Sequence, residues 1–460
     1  MGGFGKKCRF GFSKALLSTT QPPHQKQSEN IAGNFGFPIR NLHPRTPISS
    51  PAGNFIGVAN RRLLTEMMSM ISGEETRRRV LQSVDLLGER TVPLSRALDC
   101  FSAREVVARL PLPMFDNSAM DGYAVVASSS GKGARLQVIG EQPAGTDREL
   151  RISPGEAVRI FTGAPIPGGA DAVVMQEDTT REGDEILVNV GVDPGEFIRR
   201  RGCDLAEGQK ILARGERISP TTIALLGSQG FAGVTIGGEV NAAIVSTGDE
   251  VVMPGKKLDQ GQIYDSNSIL LQALVQRCGA SVTLAEHSPD QRERLIDAIQ
   301  CGIKSHILVI TGGVSVGEHD LVQATLRSLG ARIDVWRVAI KPGKPFLFGK
   351  AGGCAVFGLP GNPVSAFVTF LQFVRPAILK MMGANNLDLP KTPVRLGVDL
   401  ANEGDRTHYV RGRIDNGTFV PIGRQESHAL FGLSQSNALL PVGVGESLKA
   451  GAIVDVQTWD

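Results

Sequence analysis

The sequence predicts a multidomain α/β plus β protein, and three observations carry that prediction. Strand–helix alternation runs from about 240 to 382. A stretch rich in Gly, Pro and short β-branched runs fills 112–212 between two helical pieces, and strands alternate with turns over 393–460. With 460 residues the chain also exceeds what one hydrophobic core organises.

In chain order, residues 1–62 carry Lys6, Lys7, Arg9, Lys14, Lys26, Arg40, Arg45, Arg61 and Arg62 against the single acid Glu29. Prolines interrupt this stretch and no period persists, so 1–68 is predicted to be a disordered basic extension. A transit segment or an over-extended start are its alternatives. From 72 to 107 the spacing of Val80, Leu81, Val84, Leu87 and Leu94 predicts helix. A second helix opens at Ser219 with Pro220 at its first position. Together 70–108 and 207–238 make an elongated helical linker or dimerisation domain, with a β domain inserted over 109–206. Residues 239–386 form a central, mostly parallel α/β sandwich. Its last helix is capped at Asn362, begins at Pro363 and kinks near Pro376. The rest, 387–460, is predicted to be a small β-barrel.

Composition narrows the function classes. A net charge of +3 gives no general reason to bind nucleic acid or membrane. No apolar run reaches the length of a bilayer span. Six scattered cysteines, without a CxxC pair, favour a reducing, cytoplasmic setting.

Three glycine-bearing loops each follow a strand and precede a helix: Ser246-Thr247-Gly248-Asp249-Glu250, Thr311-Gly312-Gly313-Val314-Ser315-Val316-Gly317-Glu318-His319-Asp320, and Leu359-Pro360-Gly361-Asn362-Pro363. In a doubly wound sheet they converge on one edge, where glycines admit a ligand and helix N-termini attract anions. Tight turns alone are the plain alternative for any one loop. The acids Asp249, Glu250, Glu318 and Asp320 would repel a phosphate unless a hard cation intervenes or one carboxyl stays protonated, so Mg²⁺ is inferred. Helix capping is the other use for Asp249 and Asp320. Arg337, Lys341 and Lys344 offer the opposite charge for an oxyanion.

The string Pro113-Met114-Phe115-Asp116-Asn117-Ser118-Ala119-Met120-Asp121-Gly122-Tyr123-Ala124 resembles the signature of the molybdopterin molybdenumtransferase family, which includes bacterial MoeA and the gephyrin E domain. Agreement continues through 161–165, 174–177, 199–204, the three loops, 340–346 and 358–365, covering about 72–460. The resemblance implies a central sandwich of molybdopterin-binding type and a homodimer whose site lies between the α/β domain of one subunit and the β domain of its partner. It also implies the reaction: molybdate enters adenylylated molybdopterin while the adenylate is hydrolysed, releasing AMP and molybdenum cofactor. Transient contact with the adenylyltransferase and with molybdoenzyme apoproteins goes with that role. Carried over, Asp121, Thr162 and Asp204 belong to the β-domain side, and Glu250, Asp290, Asp320, Arg337 and Lys341 to the α/β side. Arg411 and Ser427 reach in from the C-terminal domain. Asp121, Asp204, Glu250, Asp320 and Lys341 are the catalytic candidates, Asp121 and Asp204 as proton donors with raised pKa values. Asp249, Glu250 and Asp320 are the metal candidates. Ser246, Thr247, Gly248, Gly312, Gly313, Ser315, Gly317, Lys344, Pro360, Gly361, Asn362 and Pro363 complete the substrate-binding set. A molybdopterin adenylyltransferase and a non-catalytic scaffold related to gephyrin are the alternatives.

Overall fold

The computed structural model describes residues 70–314 and 321–459, so the predicted basic extension lies outside the described residues. Multidomain α/β plus β architecture holds throughout them. The central sheet orders its strands Ser281–Ser288, Asn241–Thr247, Ile307–Thr311, Cys354–Leu359, Leu347–Ala351, Arg332–Trp336. The first four are parallel, and Leu347–Ala351 runs against both of its neighbours. Asn241–Thr247 is buried from Ala242 onward and Ile307–Thr311 throughout, because helices cover both faces. Phe346, Phe348, Phe357 and Phe373 fill one side of the sheet.

The last helix shows how local chemistry sets local geometry. It runs Pro363–Thr369, passes through a π-helical turn at Phe370–Val374, and resumes as Arg375–Met381. Pro376 has no N–H to return to the preceding turn, so the ladder is broken there and the wider turn absorbs the mismatch. By length and composition Pro363–Met381 could cross a membrane, but 89% of it is buried in the core.

The inserted β domain is a six-stranded sheet ordered Ala172–Met175, Gly122–Val125, Glu156–Ile160, Arg135–Gln142, Glu185–Val188, Thr179–Glu182. At the C-terminal end, Thr407–Asp415, Thr418–Pro421, Lys391–Leu396, Ile453–Thr458 and Ala438–Val442 pair in a ring that closes on itself, a five-stranded barrel around Phe419, Val394 and Val456. Closure removes the edge strands a small open sheet would expose.

The helical pattern expected over 72–107 is much shorter. Ser72 caps a helix that covers only Gly73–Ser83. Beyond it the Leu87 N–H bonds the Met381 carbonyl, and Lys350 Nζ donates to the Ser83 carbonyl, so tertiary partners satisfy the backbone instead. Val80 of this helix and Val84 just beyond it join the α/β core. The β-branched Thr91 and Val92 then form the strand Arg90–Pro93, antiparallel to Gly233–Ile236, and Val106–Val107 pairs with Lys210–Leu212. The two halves flanking the inserted domain are therefore stitched by short strands rather than by helices.

Candidate functional site

Strand order locates a crevice. From Asn241–Thr247 the chain crosses by helix Asn267–Arg277 to the neighbouring strand Ser281–Ser288, and from there by helix Arg292–Gly302 to Ile307–Thr311 on the other side of Asn241–Thr247. The loops part at this switch point, and ligands of doubly wound sheets bind there. A cavity of about 320 Å³ opens at that place. Ser246, Thr247 and Glu250 of the first loop line it, with Thr311 and Gly312 of the second and Gly361, Asn362 and Pro363 of the third. Ser315, Gly317, Glu318 and Asp320 lie outside the described residues.

Two glycines are dictated by how closely the loops approach. Gly312 has φ +86°, and a Cβ there would lie 2.5 Å from the Thr247 carbonyl oxygen. Gly313 has φ +61° and would meet Thr247 Oγ1 at 2.7 Å. Gly248, at φ +131°, leaves room for the Glu250 carboxylate, which folds to within 2.5 Å of where its Cβ would stand.

The acids gather beside the cavity. Asp249 Oδ1 accepts the Asp290 N–H at 3.0 Å. Burial, and then the negative charges of Asp249 and Glu250, hold the Asp290 carboxyl above its usual range. Ser246 Oγ and His287 Nδ1, paired across adjacent strands, are 3.2 Å apart. Among the described residues no three acidic, His or Cys side chains could hold a metal by themselves. Two neighbouring carboxylates that repel a third do suit Mg²⁺, which takes much of its shell from ligand oxygens and water.

The basic group sits apart. Arg337 follows strand Arg332–Trp336 with φ +92°, its N–H bonded to the Phe346 carbonyl at 2.8 Å. That strand stands four places from Asn241–Thr247, a separation of roughly 19 Å at ordinary strand spacing. Lys341 lies on Ile340–Lys341, which adds in parallel to the barrel strand Thr407–Asp415. Lys344 follows on the same loop, and none of the three lines the cavity. Beside Lys341, burial and the charges of Lys341, Arg411 and Arg406 push His408 down to about 4, so its imidazole is neutral at physiological pH.

Asp121, Thr162 and Asp204 belong to the inserted domain and its return loop, and none of them lines the cavity within one chain. Asp121 Oδ1 accepts from both the backbone N–H and the hydroxyl of Thr162, each at 2.8 Å. Those bonds, the backbone one foremost, hold Asp121 below the usual carboxylate range, opposite to the raised pKa expected of a proton donor. The contribution is complete above the unfolded-state pKa and disappears as pH falls through the lower folded one. Thr162→Val removes the hydroxyl bond and is expected to move Asp121 part of the way back up, which an NMR titration of its carboxyl carbon would register.

Arg411 does not reach into the cavity. It is 1% exposed, and its guanidinium donates to the carbonyl of Arg424 and to that of Glu426 at 3.2 Å. The loop it holds carries Ser427, whose carbonyl accepts the Val364 N–H at 3.1 Å, and His428, which with Leu430 forms a wall of the cavity. Arg411 thus positions the wall. Arg411→Met is expected to cost about 1–3 kcal/mol in urea unfolding, because the loop carbonyls of Arg424 and Glu426 lose their charged donors.

Sequence reasoning missed Asp265, Asn267, His287, His428 and Leu430. The Asp265-Ser266-Asn267 run opens a helix and reads as a cap, the commonest use of such residues. Asn267 instead ties two loops together, donating from Nδ2 to Thr311 Oγ1 at 3.0 Å and to the Gly361 carbonyl at 2.7 Å.

Comparison with known proteins places this geometry. Three family descriptions match the chain in order: "MoeA N-terminal region (domain I and II)" over 71–230, "Probable molybdopterin binding domain" over 243–380, and "MoeA C-terminal region (domain IV)" over 393–459. Molybdopterin molybdenumtransferase 2 of Mycobacterium tuberculosis is 34% identical over 407 residues, which span 85% of this chain and 100% of that protein. The molybdopterin molybdenumtransferase of Haemophilus influenzae is 41% identical over 299 residues, 65% of this chain and 74% of that one. The crystal structure of a molybdopterin biosynthesis MoeA protein from Pyrococcus horikoshii matches at TM-score 0.69 and 30% identity, covering 85% of this chain and 100% of that one. The chain belongs to the MoeA family of molybdopterin molybdenumtransferases.

Proposed function

We propose that this enzyme inserts molybdenum from molybdate into adenylylated molybdopterin, with hydrolysis of the adenylate and release of AMP and molybdenum cofactor. One observation carries the reading beyond family membership: three glycine loops wall a single cavity at the sheet's switch point, with Asp249, Glu250 and Asp290 clustered beside it. Asp249 and Glu250 would hold Mg²⁺ together with substrate oxygens, and the bound ion supplies Lewis acidity at the adenylate phosphorus. Arg337, Lys341 and Lys344 supply fixed positive charge along the same edge of the sheet for the incoming oxyanion. Their distance from the cavity suits an elongated substrate with its two ends in different surroundings.

The enzyme acts as a homodimer in the cytoplasm in this reading. The β-domain residues Asp121, Thr162 and Asp204 then complete the cavity of the partner subunit. The test is incubation of the protein with adenylylated molybdopterin, molybdate and Mg²⁺. AMP and molybdenum cofactor should form together, and EDTA should stop both. AMP release that is unaffected by the chelator would remove the metal from the scheme.

A further inference from the structure

A second cavity, of about 350 Å³, lies further along the two helices whose first residues, Asn267 and Pro363, line the first one. Helix Asn267–Arg277 gives it Leu270, Ala273, Leu274 and Arg277, one face at helical spacing, while Leu271 and Val275 belong to the core. The other helix gives it Phe367, Phe370 and Leu371, the last two from the π-helical turn at Phe370–Val374. Such turns occur disproportionately at functional sites. Trp459 completes the wall, its ring edge-on to Phe367 at 5.0 Å. Walls of this kind gain from an apolar guest that takes the place of water.

The charge in the cavity is of one sign. Arg217, Arg277 and Arg375 line it, and among the described residues no acid does. Arg217 is committed to Asp99 at 3.0 Å. Asp388, beside the lining residue Leu389, is held by Arg77 at 2.6 Å. Arg375 donates from Nη1 to the Leu387 carbonyl at 3.1 Å, and among the described residues no carboxylate stands within ion-pair distance of it. Burial foremost pulls its pKa below the ordinary guanidinium range, so the charge is held at a cost in desolvation.

These surroundings select a chemistry. Molybdate and nucleotides bring negative charge without an apolar body. A neutral apolar molecule leaves the cation unanswered. A carboxylate on an alkyl chain meets both demands, its two oxygens side by side on the guanidinium and its chain on the aromatic wall.

We propose that this cavity is a second ligand site, for a medium-chain carboxylate whose head pairs with Arg375 and whose chain lies between the two helices against Phe370 and Trp459. The site is separate from the chemistry proposed above and stands or falls without it.

The test titrates the full-length protein by calorimetry with octanoate, octan-1-ol and acetate. Octanoate should bind once per chain, tighter than octan-1-ol by roughly 10- to 100-fold, and acetate should give no measurable heat. Affinity should grow about fourfold per methylene from butanoate to octanoate. In Trp336→Phe protein, Trp459 is the remaining tryptophan, and its fluorescence should change with the same affinity. Arg375→Met keeps the apolar stem without the charge and should bring octanoate down to the level of octan-1-ol, whose own binding stays the same. Arg375→Lys, which keeps the charge, should recover most of the difference. Ala273→Phe fills the cavity from an exposed helix position and should abolish binding of both. Failure of octanoate to bind, or equal affinity for octanoate and octan-1-ol, would overturn the assignment. Titrations of Arg375→Met and Ala273→Phe that match the wild type would also overturn it, since the chain would then be taken up elsewhere on the surface. Should these variants fail to fold, the preference for octanoate over octan-1-ol, read at Trp459, decides.

Discussion

Glu250→Gln is expected to lower AMP release by at least about 100-fold while changing substrate affinity little, the pattern of a group that acts on charge developing in the transition state. Glu250 lines the cavity, and its carboxylate lies over Gly248 at the end of the first loop. Glutamine preserves shape and hydrogen bonding but removes one negative charge from a cluster of three. The same substitution relieves part of the repulsion on Asp290, whose carboxyl should then fall toward its ordinary range. Single-turnover AMP release, equilibrium binding and an NMR titration of Asp290 give three readings of one change. Undiminished turnover would mean that the acid cluster is not where the adenylate phosphate is handled.

Gly122→Ala is expected to be the most damaging single methyl in the inserted domain. An added Cβ would stand 2.0 Å from the Val174 carbonyl oxygen and 3.1 Å from Met175 Cα, both backbone atoms of the adjacent strand Ala172–Met175. The strand cannot yield locally, because Gly122 pairs with Met175 on one side and Ile160 on the other. Opening that ladder should cost roughly 3 kcal/mol or more and displace Asp121 from Thr162. A drop in unfolding midpoint of several degrees is the expected reading, with Asp121 returning to an ordinary titration. An unshifted midpoint would show that the sheet adjusts at little cost.

Gly122 also illustrates how much of the protein was legible in its sequence. Next to Asp121 it looks like half of a turn-forming pair, whereas its necessity comes from a neighbouring strand fifty residues onward in the chain. The α/β alternation and the convergence of the three loops could be anticipated, since both follow from periodicity and from the geometry of parallel sheets. The helical reading of 72–107 failed past Ser83, where Leu87 found a tertiary partner and Thr91 and Val92 a strand to join. Apolar spacing was there, but β-branched residues in a short run follow whichever edge is offered. Arg411 was expected to touch substrate and instead holds a loop. Charge alone does not reveal whether a guanidinium faces solvent, ligand or backbone carbonyls. Asp265 and Asn267 stayed hidden because a run that opens a helix and a run that walls a cavity look the same in sequence.

The pairing of Ile340–Lys341 with Thr407–Asp415 means that one lysine of the basic group is fastened to two domains at once. Its chain neighbours come off the central sheet, yet its backbone is clamped by the barrel, and Ser427 clips the same barrel to the start of helix Pro363–Thr369. A tilt of the barrel would therefore drag the ammonium of Lys341 along the sheet edge and shift the His428 wall in the same stroke. The charge of Lys341 and the enclosure of the cavity are thus geared together.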